Sequence, residues 1–396
     1  WRRRLKCWRC FVRKAKGVLG VLLLGLLGGA SWAAELRAGA VLGAEADGFL
    51  RAEAPRAFRF PEDHGTKPAY RTQWWYLTAH FRDAAGQPYG VQFTLFRQGL
   101  RAPGREAGRA SPLATEALWM AHLAVTTPEG HWAEERFARD ALALAGVDAT
   151  PFRLWLDDWT LEGEGSATDH PFPGTLRASL QVGEARYRLT LALGAARGPV
   201  LQGEEGLSLK SRETGSASYY YSYTRMPATL ALEAEGGRRV TAEGLGWFDR
   251  EWSSGALAPD QVGWDWLALH LASGHDLMLF RLRQADGQLS GVQEGTLVFP
   301  DGRQARLAPE AYAFTPVPGA AWRGPRGGAW PVRWRLRVPA LGVDDVLSAV
   351  RPDQHNDLTV PYWEGMVCLE GEQESCGYLE MTGYEPPTDG ARASVE

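Results

Sequence analysis

Cysteine is scarce: the 396 residues hold four, and Cys7 and Cys10 fall in a basic, apolar leader. Only Cys368 and Cys376 remain for the rest of the chain, too few for a disulfide scaffold. No H-E-x-x-H or paired-cysteine spacing offers a zinc site. A glycine-rich phosphate loop after a strand is missing, and so is a G-x-S-x-G elbow in a strand–turn–helix pattern. No cofactor is therefore expected, neither a metal nor a nucleotide. Apolar runs long enough to span a membrane comfortably are also lacking. The longest, "GVLGVLLLGLLGG", follows Arg2, Arg3, Arg4, Lys6, Arg9, Arg13, Lys14 and Lys16 and precedes "ASWAA". That order predicts a signal peptide over residues 1–33, cut near Ala33 or Ala34, and a periplasmic or secreted protein with no stable membrane anchor after cleavage.

Positive charge is in deficit once that leader is gone. Its eight basic and no acidic residues take the balance from 43 basic against 47 acidic to 35 against 47, a net of −12. A chain of that sign does not suit nucleic acid or an anionic membrane surface. Cys368 and Cys376 flank "LEGEQES", whose polar middle reads as a hairpin turn. In an oxidising compartment a cross-strand disulfide is expected.

Helical periodicity is scarce too, apart from a short helix that "SPLATEALWMAHLAV" could hold before a strand. The dominant period is two. In "RWRLRVP", Trp334, Leu336 and Val338 alternate with arginines, and "ARYRLTLAL" and "GVQFTLF" repeat the pattern. Turn signals such as "ADGQ", "PDGR" and "EGGRR" separate these runs. The chain reads as all-β, built of half-buried antiparallel strands. Two halves are expected, residues 58–240 and 241–385, with the polar "EAEGGRR" at the border and a disordered tail at 386–396.

What the chain has in abundance is tryptophan, 17 in all, set beside charge. "FPEDHGTKPAYRTQWWYLTAHF" carries Glu62, Asp63, His64, Gln73, Trp74, Trp75 and Tyr76. "SASYYYSYTRM" carries Tyr219, Tyr220, Tyr221 and Tyr223. "LGWFDREWSSG" places Asp249, Arg250, Glu251 and Trp252 together, and "VGWDWLALHL" holds Asp265 between Trp264 and Trp266. "DLTVPYWEGMV" adds Tyr362, Trp363 and Glu364. Aromatics at this density on strands make either a bulky core or the wall of an apolar pocket. A plain core would not need the interleaved carboxylates.

These motifs, with "YWEGMV…GYLEMTGY", resemble the AttH-like secreted proteins, often called predicted secreted hydrolases and related to the carotenoid 1,2-hydratases (hydroxyneurosporene synthases). The resemblance covers nearly the whole chain after the leader. It implies two tandem lipocalin-like antiparallel β-barrels, and among relatives there are pericyclases that fold a polyene between the barrels. It also implies an envelope partner, a permease of an ABC transporter. The family's "EWWY" is "QWWY" here, so Gln73 replaces a carboxylate. "DREW" stands where the hydratases more usually carry His, and Arg250 cannot deliver a proton at ordinary pH.

Chemistry on an apolar ligand needs an acid with a raised pKa, which a carboxyl between indoles supplies. Asp265 is the first candidate, assisted by Tyr221 and Trp252, with Glu251 as a further acid. Trp74, Trp75, Tyr76, Trp252, Trp264, Trp266, Tyr362 and Trp363 are the expected ligand-binding side chains. Asp265, Trp252, Trp74 and Tyr221 are expected around one cavity near the barrel junction. The bland alternatives stand beside these. Asp265 on a strand faces away from both neighbouring tryptophans and could simply pair with Arg250 or Arg281. Asp249 and Glu251 read as ion-paired scaffolding, His64 as a loop residue and His270 as core. Two functions fit: an acid–base hydrolase or hydratase for a hydrophobic small molecule, or a periplasmic carrier of a lipid or polyene that leaves it unchanged.

Overall fold

The computed structural model describes residues 48–104, 115–140, 143–164, 170–212, 215–255, 257–258, 260–284 and 286–385. The expected signal peptide and the tail at 386–396 lie outside the described residues.

The first sheet opens with β1 (Thr72–Asp83), β2 (Pro88–Gly99), β3 (Ala117–Thr126) and β4 (His131–Arg139). The shorter β5 (Ala145–Ala149), β6 (Phe152–Leu156) and β7 (Trp159–Gly163) follow, then β8 (Gly174–Val182) and β9 (Ala185–Leu193). Two brief strands, β10 (Val200–Leu201) and β11 (Leu207–Leu209), lead into the long β12 (Ala217–Ala234) and β13 (Arg239–Ser253). Hydrogen bonding orders them β4-β3-β2-β1-β13-β12-β9-β8-β7-β6-β5, with β10 and β11 on β12. Its two ends curl toward each other. Glu134 on β4 accepts the Gln181 N–H of β8, and Arg136 pairs with Asp158 in the β6–β7 turn.

The second sheet comprises β14 (Gln261–His270), β15 (Asp276–Gln284), β16 (Leu289–Val298), β17 (Gln304–Leu307) and β18 (Ala313–Pro316). After a small separate ribbon, β19 (Ala321–Arg323) with β20 (Ala329–Pro331), come β21 (Arg333–Val338) and β22 (Val343–Ala349). The last strands are β23 (His355–Asn356), β24 (Tyr362–Leu369) and β25 (Cys376–Met381). The order is β17-β16-β15-β14-β25-β24-β22-β21-β18, with β23 on β24. It too curls, since Arg281 on β15 reaches inward to the carbonyl of Phe314 on β18 at 2.9 Å. The protein is thus almost all β, in two near-closed antiparallel barrels of the lipocalin-like kind.

Period two explains both barrels. On β21, Trp334, Leu336 and Val338 are buried while the intervening arginines are exposed, and β9 buries Leu189, Leu191 and Leu193 in the same way. "SPLATEALWMAHLAV" forms no helix within its described part: Ala117–Thr126 is strand β3. The expected border at 240 also moves. "EGGRR" is a hairpin turn, made possible by Gly236 and Gly237 at φ +105° and +115°. A tight turn joins neighbours in one sheet, so β13 pairs with both β12 and β1, and the first sheet runs on to Ser253.

Each barrel fills its interior with its own apolar cluster. A third cluster forms where outward-facing side chains of the two barrels meet, including Tyr76, Tyr220 and Trp247 from the first and Trp266, Phe280, Met366 and Tyr378 from the second. Gly90 on β2 permits the approach, because a Cβ there would collide with the Tyr378 hydroxyl. A bulge in β12 locks it. Arg225, at φ +51°, is turned toward the second barrel, where its Nε donates to Asp276 Oδ1 at 2.7 Å and its Nη2 to the carbonyls of Leu271 and His275. Bulges commonly re-aim a side chain in this way.

A carboxyl cluster at the barrel junction

Strand parity decides which side chains meet. On β1, Trp75, Leu77 and Ala79 enter the first barrel, which leaves Trp74 and Tyr76 outside. On β13, Phe248 and Trp252 point in, while Trp247 packs at the junction and Asp249, two residues on, shares its face. The same alternation places Trp264 and Trp266 of β14 at the junction. Glu364 and Glu380 face each other directly across β24 and β25, and Trp266 lies beside Glu380 on the next strand.

Among the hydrogen bonds that cross from barrel to barrel, two links reach these carboxyls. In the first, the Tyr76 hydroxyl donates to Glu364 Oε1. In the second, Trp266 Nε1 donates to the Tyr220 hydroxyl at 3.1 Å, and Tyr220 donates to Asp249 Oδ2 at 2.8 Å. Asp249 also accepts from Ser222 Oγ at 2.5 Å and Trp247 Nε1 at 2.7 Å. Glu380 accepts from Trp264 Nε1 at 2.9 Å. Glu364 Oε2 is buried and has no hydrogen-bond partner among the described residues.

Burial is the largest influence on all three carboxyls. It lifts Asp249 to about 7 against the pull of its three donors. Glu364 rises well above the ordinary range through burial and the neighbouring Glu380, with the Tyr76 bond opposing. Glu380 rises to about 8 through burial, with Asp249 and Glu251 adding to it. Like charges so close cannot all ionise, so the cluster holds protons near neutral pH. Proton-bearing carboxyls among indoles and phenols are a general-acid arrangement. Among the described residues no group of three or more His, Cys, Asp or Glu has the arrangement of a metal site.

Six residues singled out from the sequence come to this junction or its rim: Trp74, Tyr76, Trp264, Trp266, Tyr362 and Glu251. Trp74 and Trp264 are half-buried there. Glu251 is held by Lys210 at 3.1 Å and by Ser218, a buried ion pair. The other five face elsewhere. Trp75, Tyr221 and Trp252 belong to the first barrel's core and Trp363 to the second's. Tyr221 is bonded to His64 Nδ1 at 2.6 Å. Asp265 points into the second barrel, where Arg281 Nε lies 2.8 Å and Arg283 Nε 3.4 Å away and Tyr384 donates at 2.9 Å. The expectation that Asp265, Trp252, Trp74 and Tyr221 share one cavity is corrected by the period of the strand, which sends alternate residues into different compartments.

Arg250 is also interior and makes no ion pair with Asp265. Its guanidinium lies 3.9 Å from the ring of Trp75 and 4.8 Å from that of Trp252. Gly65 O and Gln73 Oε1 accept from it at 2.8 and 3.0 Å, and burial lowers its pKa to about 9. Gln73 thus serves a buried cation. Sequence reasoning missed Glu364 as an acid and its partner Glu380, and it read Asp249 as ion-paired scaffolding, whereas Tyr220, Ser222 and Trp247, all neutral donors, hold that carboxyl. The signal for the two glutamates was parity: "YWE" and "YLE" each set a carboxyl two residues after a tyrosine, on one face.

The AttH-like family profile matches residues 51–384. The chain belongs to the AttH-like family. No curated protein matches it. Among solved structures this AttH-like chain is similar to a protein of Nitrosomonas europaea assigned as an AttH, with 30% identity over 84% of this chain and 100% of that one and a TM-score of 0.70. It is also similar in fold to kievitone hydratase from Nectria haematococca, at 14% identity, 87% and 99% coverage and a TM-score of 0.56.

Proposed function

We propose that this AttH-like protein is a cofactor-free enzyme of the hydratase or hydrolase type, acting on a hydrophobic ligand at the barrel junction. The observation that carries this reading is Glu364. Its Oε1 is occupied by Tyr76, its Oε2 is buried without a partner, and Glu380 beside it keeps a proton on the pair. Tyr76 thereby selects the oxygen that holds the transferable proton. In a hydration, Glu364 gives that proton to one carbon of an apolar C=C bond. The positive charge left on the other carbon faces indole and phenol rings, whose π-faces attract cations. A water oxygen bonds to that carbon, and the proton it sheds restores the carboxyl pair. Membership of the family and the fold shared with a hydratase support the choice of reaction class. We place the enzyme in the periplasm or outside the cell, on the leader read in the sequence, with an ABC-transporter permease as its envelope partner.

The test begins with native mass spectrometry of protein purified from its host, to identify a co-purified ligand. That ligand is then incubated with enzyme in ¹⁸O-labelled water. Uptake of one labelled water, abolished by Glu364→Gln, is the expected result. Release of the ligand unchanged by wild-type protein would sink the enzyme reading and leave the carrier reading in its place.

A further inference from the structure

We propose that the outer wall of the first barrel, where it runs on past the junction, docks this protein on a lipid bilayer through apolar contact. The inference goes beyond the junction chemistry and does not depend on it. Antiparallel register lines up the outward side chains of β1, β2, β3 and β4 in rows across this wall. The row Tyr76, Thr94, His122 and Glu135 lies under the second barrel, where Glu364, Tyr362 and Thr359 are bonded to Tyr76, His122 and Glu135. The next row out is Trp74, Phe96, Met120 and Phe137, and all four are apolar. It runs from half-buried Trp74 at the junction rim to Phe137, which is 56% exposed on the edge strand β4.

The patch widens beyond that row. Thr72, Gln98, Leu118 and Arg139 form the following one, in which Leu118 is 42% exposed. Leu100, at the end of β2, is 53% exposed, and its backbone N–H is bonded to Glu116 just ahead of β3. Leu50, 57% exposed, is near, because a Cβ on Gly99 would meet the ring of Phe49 at 2.8 Å. Of the six large hydrophobic side chains exposed among the described residues, four therefore gather at this one end of the barrel. Single exposed hydrophobics are ordinary, but a contiguous patch marks an interaction surface.

Two features point to lipid as the occupant. The two open rows hold no carboxylate, although acidic residues outnumber basic ones in the chain, 47 to 43. Their single charge is Arg139, at the edge, where it can meet a lipid phosphate while the apolar side chains enter the acyl boundary. The segment that follows the apolar leader read in the sequence also enters the fold here, through Phe49 and Leu50. A net-negative chain gains nothing from anionic lipid, so the contact is apolar and reversible. A bilayer seated on this wall lies one row of side chains from Tyr76, which shortens the path of an apolar compound from lipid to the junction.

The test is co-sedimentation of the exported protein with phosphatidylcholine vesicles. The expected result is binding that high salt leaves unchanged and that falls about tenfold in Phe137→Glu and in Leu118→Glu. Both side chains are exposed, so the melting temperatures of the variants should hold. Glu364→Gln should bind vesicles as wild-type protein does, which separates the docking wall from the junction chemistry. Wild-type protein left in the supernatant would overturn the proposal, and so would undiminished binding in both wall variants. Binding confined to anionic vesicles and lost in salt would move the contact to charges elsewhere and overturn it too. A dimer in light scattering that Phe137→Glu dissolves would give the wall to a second copy of the chain instead.

Discussion

Tyr76 on the first barrel donates its hydroxyl hydrogen to Glu364 on the second, so a single bond both docks the barrels and orients the acid. Replacing Tyr76 by Phe keeps the ring against Trp266, 5.2 Å away between centroids, but leaves Glu364 with two unsatisfied oxygens. A buried acceptor stripped of its donor costs about 1–3 kcal/mol. Tyr76→Phe should lower stability by that amount in chemical denaturation and reduce turnover further, because the proton is no longer confined to one oxygen.

Stability should fall as pH rises through the neutral range. Asp249, Glu364 and Glu380 all have folded pKa values above their unfolded ones, Asp249 at about 7 and Glu380 at about 8. The native state therefore binds more protons than the unfolded chain. The stability that these three carboxyls contribute is fully present below about pH 4 and is lost as pH climbs through the raised values. Glu364→Gln removes one proton site and relieves Glu380, so its denaturation free energy should decline less steeply between pH 6 and 9. A steeper decline in the variant would refute the coupling.

On the acid side the sign reverses. His80 Nε2 and His270 Nδ1 meet across the junction at 2.9 Å, and burial holds both neutral, His80 at about 3 and His270 well below its ordinary value. Arg225 and Arg82 face the pair and oppose its charging, while Asp276 is already engaged by Arg225. A depressed histidine contributes stability above its unfolded pKa and loses it as pH falls. Below about pH 6 each should cost about 1.4 kcal/mol per pH unit. The double variant His80→Gln, His270→Gln should flatten that limb in denaturation curves taken from pH 4 to 7.

Asp265→Asn separates scaffold from catalyst. Arg281 and Arg283 would lose a fully buried partner, which costs about 3–5 kcal/mol. The side chain faces away from the junction, so affinity for the co-purified ligand, measured below the melting transition, should be unchanged. Lost turnover at an unaltered melting temperature would return Asp265 to the catalytic role.

Cys368 and Cys376 are disulfide-bonded directly across β24 and β25, on the strands that carry Glu364 and Glu380. Closing so short a loop stabilises by no more than about 3 kcal/mol on the chain-entropy account. Replacing both cysteines by serine should therefore lower the melting temperature modestly. It should also weaken the coupling of Glu364 to Glu380, read as a shallower pH dependence of stability.

The sequence by itself determined the strands, because alternation such as Trp334, Leu336 and Val338 against arginines is a local property that burial on one face enforces. It also carried the all-β class, the turn at Gly236 and Gly237, and, through its motifs, the family. Period two even contained the warning that Asp265 and its flanking tryptophans face opposite ways. What local pattern cannot hold is the pairing of faces from distant strands. Asp265 meets Arg281 inside one barrel, whereas Glu364 meets Tyr76, 288 positions away, between two. A carboxyl on a strand reads the same whether an arginine or another carboxyl awaits it. Only the closure and docking of the barrels decided that Asp265 is charge-compensated and that Glu364 is left to hold a proton.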